Sequence, residues 1–141
     1  MTLRSRSSWL AAGVLTALLL SGCKDATTTT SPTATSPVTE TFSGQFIPGG
    51  NASRAFTAAS AGTASVTLTS VGPPADAIVG LGVGIPQSSG SGCYLTQTVK
   101  TGASSTPQFT VAVDAGAYCV RVYDLGTLTA PVSFTITIVR P

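Results

Sequence analysis

The chain has 141 residues, of which only 9% are charged and 43% are apolar, and it contains no histidine. That composition argues against a helical bundle, and the lack of histidine excludes a zinc site built on imidazole and any Ser-His-Asp or Cys-His catalytic machinery. Seven Lys and Arg scattered along the chain do not make the basic stripe that a nucleic-acid partner requires.

The first 22 residues have a composition of their own. Arg4 and Arg6 form a positive start, Trp9 to Leu20 is a predominantly apolar run, and Ser21-Gly22-Cys23 follows. The run is shorter than the roughly 20 residues that span a bilayer. Charge, short apolar stretch and small residues together predict a secretory signal peptide over 1–22. Leu20-Ser21-Gly22-Cys23 resembles the lipobox of bacterial lipoproteins: an aliphatic residue, two small residues and a cysteine. The resemblance implies cleavage between Gly22 and Cys23, a diacylglyceryl thioether on Cys23 and acylation of the new amine. Two or more chains anchor firmly, at about 0.8 kcal/mol per buried methylene, where one chain holds only marginally. In Gram-negative members an Asp directly after the cysteine retains the protein in the inner membrane. Lys24 occupies that place here, which points to the outer membrane of a bacterial cell envelope, although Asp25 follows it. Without Arg4 and Arg6, five basic residues face five acidic ones, so the mature chain is neutral.

Residues 23–40 form a second segment. After Cys23 it is rich in Thr, Ser and Pro, with Val38 as the one large aliphatic residue. Such a stretch buries too little to offset its ordering entropy, and Pro32 and Pro37 favour extended conformations. It reads as a disordered tether, and its Thr/Ser-Pro tracts are also O-glycosylation substrates in some exported proteins.

Residues 41–141 read as one all-β domain. Ala64-Val66-Leu68, Phe109-Val111-Val113, Tyr118-Val120-Val122 and Phe134-Ile136-Ile138 each alternate with small or polar residues, the period of a half-buried strand. Weaker strand signals lie near 42–47, 53–59, 76–85 and 93–99, separated by Gly and Pro clusters. Seven or eight short strands predict an antiparallel two-sheet β-sandwich. The expected core comprises Phe56, Ile78, Leu81 and the apolar members of the four alternating runs. Val79-Gly80-Leu81-Gly82-Val83-Gly84-Ile85 is unusual, since Gly weakens strands; it marks a bulge or a close backbone approach. It is no phosphate loop, because neither a Lys-Ser/Thr pair nor a helix follows.

With Cys23 acylated, Cys93 and Cys119 remain. An even pair in a small exported domain predicts a disulfide. Two cysteines without histidine are too few for zinc.

Phe109 to Val122, with Gly116-Ala117-Tyr118-Cys119-Val120-Arg121-Val122 at its centre, resembles the Gly-x-Tyr-x-Val-x-Val stretch of bacterial pre-peptidase C-terminal domains. Phe134 to Ile138 resembles that family's last strand, and Ala75-Asp76-Ala77-Ile78 its Asp-containing approach to a strand. The resemblance implies a jelly-roll-like sandwich acting as an accessory or binding module, with calcium in some members. Asp76, Asp114, Asp124 and Glu40 form no dense acidic cluster here, so no metal and no cofactor are expected.

Three functions follow from these residues. The first is a non-enzymatic binding or structural module held at the membrane by its lipid, taking a glycan or an envelope protein on a surface of Tyr94, Arg121, Tyr123 and Asp124. The second is an envelope assembly or inhibitor protein acting by β-strand addition. The third is a hydrolase, for which Lys100 and Ser89-Gly90-Ser91-Gly92 are poor machinery: no Gly-x-Ser-x-Gly is present.

Overall fold

The computed structural model describes residues 36–88 and 92–141. The segment expected to be a signal peptide, Cys23, the expected tether as far as residue 35, and Ser89-Gly90-Ser91 lie outside the described residues. Eight strands follow in order: β1 (Val38–Phe46), β2 (Asn51–Ala58), β3 (Gly62–Gly72), β4 (Val79–Pro86), β5 (Cys93–Thr101), β6 (Phe109–Val113), β7 (Gly116–Tyr123) and β8 (Val132–Arg140).

They form two four-stranded antiparallel sheets, β1-β8-β3-β6 and β2-β7-β4-β5. The pairings nest: β4 with β5, β3 with β6, β2 with β7 and β1 with β8. A long hairpin tipped by β4 and β5 has been rolled so that its rungs alternate between sheets, and this is the jelly-roll arrangement.

The expected periodicity sets the core. Val66, Leu68, Phe134, Ile136 and Ile138 project from one sheet, and Phe56, Leu81, Val120 and Val122 from the other; all are buried. Phe42 meets Phe134 edge-on at 5.0 Å between ring centres, and Phe46 lies 5.9 Å from the same ring. Val111 and Tyr118 pack against this core while half-buried.

Two sequence expectations need correction. The sequence extends the tether to residue 40, but β1 begins at Val38. Val38, Thr39 and Glu40 pair with Arg140, Val139 and Ile138, and the Glu40 carboxylate accepts a hydrogen bond from Arg140 Nε. Backbone pairing to β8 orders residues whose own side chains bury little. The sequence pattern puts Ile78 in the core, yet it is 40% exposed. It precedes β4, and the inward positions there are its neighbours Ala77 and Val79.

The strand directions define two ends. Val38, the β6–β7 turn and Arg140 lie at one end, which we term the entry end. The β1–β2 turn and the loops after β3, β5 and β7 lie at the other, the far end, eight residue steps along β1 or about 27 Å away.

Candidate functional site

The far end of the β2-β7-β4-β5 sheet carries an open depression of about 280 Å³, lined by Gly49, Gly50, Asn51, Leu95, Arg121, Tyr123 and Asp124. Each part is fixed by local chemistry. Ile47-Pro48-Gly49-Gly50 closes with a 2.8 Å hydrogen bond from Gly50 N to Ile47 O, and Gly49 has φ 73°. Pro at the second position and a left-handed Gly at the third make a type II turn. Asn51 then opens β2 directly opposite Tyr123.

Arg121 and Tyr123 project from the outer face of β7, opposite in phase to buried Val120 and Val122. Arg121 Nε donates to Asn51 Oδ1 at 3.1 Å, which holds the guanidinium across the β2–β7 rung. The Tyr123 ring lies directly over Gly80 on the adjacent β4, where a Cβ would overlap it.

Asp124 is occupied by the backbone. Its Oδ1 accepts from the N–H groups of Gly126, Thr127 and Leu128 at 2.9, 3.0 and 3.2 Å, and its Oδ2 accepts from Gly49 N at 2.8 Å. The Gly49 bond and the three loop bonds hold its carboxyl below the usual carboxylate range, against a smaller opposing cost of burial. This side chain ties the β7–β8 loop to the β1–β2 turn and shapes the depression from beneath.

Of the four surface residues expected from sequence, the structure thus brings Arg121, Tyr123 and Asp124 together. Tyr94 is elsewhere. It stands beside Ile85 near the entry end of the sheet, 68% exposed, while Leu95 next to it turns towards the depression. Asn51 and Leu95 complete the wall and were missed. The alternation of β7 located Arg121 and Tyr123, but pairing β7 with β2 and bringing Leu95 across β4 required the tertiary fold.

The disulfide is present. Cys93 and Cys119 are both buried, with Cα atoms 5.7 Å apart. The bridge joins β5 to β7, which are separated by β4 in the sheet. The glycines of β4 permit this crossing. A Cβ on Gly84 would overlap the backbone oxygen of Tyr94, and one on Gly82 would meet Leu95 Cδ1 at 2.8 Å. The β4–β5 register also shifts between Val83 and Gly84. The close backbone approach expected of the glycine-rich strand therefore holds, while the bulge lies opposite it, at Thr96 of β5. Gly80, Gly82 and Gly84 are buried because Tyr123, Leu95 and the start of β5 cover the outer face.

The four carboxylates considered for calcium are dispersed. Glu40 pairs with Arg140, Asp114 lies at the β6–β7 turn, Asp124 binds backbone, and Asp76 lies in the loop before β4. Among the described residues, no group of three His, Cys, Asp or Glu side chains is placed to hold a metal ion.

No family model, curated protein or solved structure matches the chain.

Proposed function

We propose that the chain is a bacterial envelope lipoprotein, anchored by lipid at Cys23 and presenting a non-catalytic β-sandwich that binds a glycan or a protein at the far-end depression. The anchor rests on Leu20-Ser21-Gly22-Cys23 placed directly after the apolar run. Lys24 supports the outer membrane as its destination. The kinship with pre-peptidase C-terminal domains remains part of this proposal, supported by the jelly-roll order and by the Gly-x-Tyr stretch at β7.

The observation that carries the binding role is the depression itself. A guanidinium, an amide, an aromatic ring and Leu95 converge on one open surface. Aromatic and apolar groups offer a stacking face, and Arg121 retains guanidinium donors beyond its one bond to Asn51. The described chain enters the sandwich at Val38, at the end opposite the depression. Absence of histidine supports a non-catalytic role.

Two arms test the proposal. Cys23→Ser should abolish palmitate labelling and release the protein from membranes; unchanged labelling and fractionation would refute the anchor. Glycan arrays and envelope capture should yield a ligand whose affinity falls roughly tenfold or more in Arg121→Ala, the effect of losing a charged hydrogen bond. A ligand equally well held by Arg121→Ala and Tyr123→Ala would move the site elsewhere.

A further inference from the structure

The two sheets meet differently on their two sides. On the β1/β2 side, Arg54 of β2 lies 5.9 Å from the ring centre of Phe42 on β1 and closes the corner. On the β5/β6 side, an apolar slot of about 210 Å³ opens between the sheets, lined by Phe56, Val83, Ile85, Val111, Val113 and Tyr118 among others. The edge strands are also defended differently. Glu40 lies on β1, Arg54 on β2, and β5 has Lys100 and the register shift opposite Gly84. Charges and bulges of this kind block edge-to-edge pairing. Phe109-Thr110-Val111-Ala112-Val113 of β6 has no charge, no proline and an unbroken register with β3. Its outer edge has no partner strand among the described residues.

We infer that β6 pairs with β6 of a second copy of this chain, antiparallel about a two-fold axis at Val111. The sequence is self-complementary in that register. Val111 faces Val111 of the second copy, Thr110 faces Ala112, and Phe109 faces Val113. Asp114 meets Gln108, so no like charges oppose each other. Thr110 and Ala112 are exposed on the outer face and Val111 is half-buried at the slot, so pairing covers surface that is open in the single chain. The two β1-β8-β3-β6 sheets become one eight-stranded sheet, and the two slots face each other. An isologous pair consumes both unprotected edges and leaves none to propagate, where a head-to-tail arrangement would extend into fibres.

Antiparallel pairing inverts one copy, so the two Val38 ends lie at opposite ends of the pair. The pairing itself does not depend on the anchor.

The experiment uses the full chain in mild detergent, with sedimentation for mass and oxidative cross-linking for register. The wild type is expected to sediment as a dimer, and Val111→Cys to give a disulfide-linked dimer while Thr57→Cys on β2 does not. Thr110→Lys combined with Ala112→Lys puts lysines opposite lysines and should weaken association at least about tenfold. Thr110→Lys combined with Ala112→Asp puts opposite charges face to face and should restore it. Because both double variants disturb the same two positions, the contrast separates pairing from misfolding. A wild type that stays monomeric at its highest soluble concentration overturns the inference, even if it captures a foreign strand at β6. So does a dimer that survives the double lysine variant or cross-links only through β2.

Discussion

Gly80 and Tyr123 form a matched pair: the ring lies where a Cβ at position 80 would lie. Gly80→Ala is therefore expected to destabilise the domain by about 1–3 kcal/mol, the usual cost of overpacking. Adding Tyr123→Ala should recover much of that loss, because the obstructing ring is gone; a double-mutant cycle in denaturant measures the coupling. Additive losses would show that ring and glycine are energetically independent. Asp124 gives a pH test. Its folded pKa lies below the unfolded one, so its contribution to stability is present above about pH 4 and is lost as pH falls through the folded value. Asp124→Asn should lower the melting temperature at neutral pH, with the gap to wild type closing in acid. A gap independent of pH would contradict the carboxylate's role. Little of this was legible in the sequence. Asp124 read as a surface acid because its four donors come from a loop and a turn that only the fold assembles. The glycines of β4 did announce a close approach, since few other reasons place alternate Gly in a strand.

At the scale of elements, β5 is held on β7 by the disulfide as well as on β4 by its ladder. Removing the bridge with Cys93→Ala and Cys119→Ala should cost about 3.5 kcal/mol, the chain-entropy value for a loop of this length. Hydrogen exchange should locate the loosening in β5. An unchanged denaturation midpoint would remove the bridge from the account of stability. The β6–β7 turn has its own lock: Tyr118 Oη accepts from Asp114 N at 3.0 Å and donates to Asp114 O at 3.2 Å. Tyr118→Phe keeps the ring stacked on Phe56 and removes both bonds, for a loss of about 1 kcal/mol in chemical denaturation. No loss would leave the turn to its backbone alone. The elements with clean alternation, β3, β6, β7 and β8, were readable because one apolar face against one polar face has period two. β4 is buried on both faces and β1 is ordered by pairing with β8, so neither displays that period and their limits were misjudged.

At the scale of the whole molecule, the sequence predicts an address, a tether and an all-β body, and the jelly roll bears out the last of these. The nesting of the pairings was beyond reach of local pattern, because period two says which face is buried but not which strand lies alongside. The depression follows from that nesting, since it needs the β1–β2 turn, β7 and β5 at one place. Its use as a binding surface presupposes that the body is exported and held at a membrane. The most direct test is the intact mass of the protein isolated from the cell envelope, before and after reduction. The account expects a chain starting at Cys23, heavier than its amino acids by a lipid group and gaining two hydrogens on reduction. An unlipidated chain that still carries residues 1–22 would contradict it.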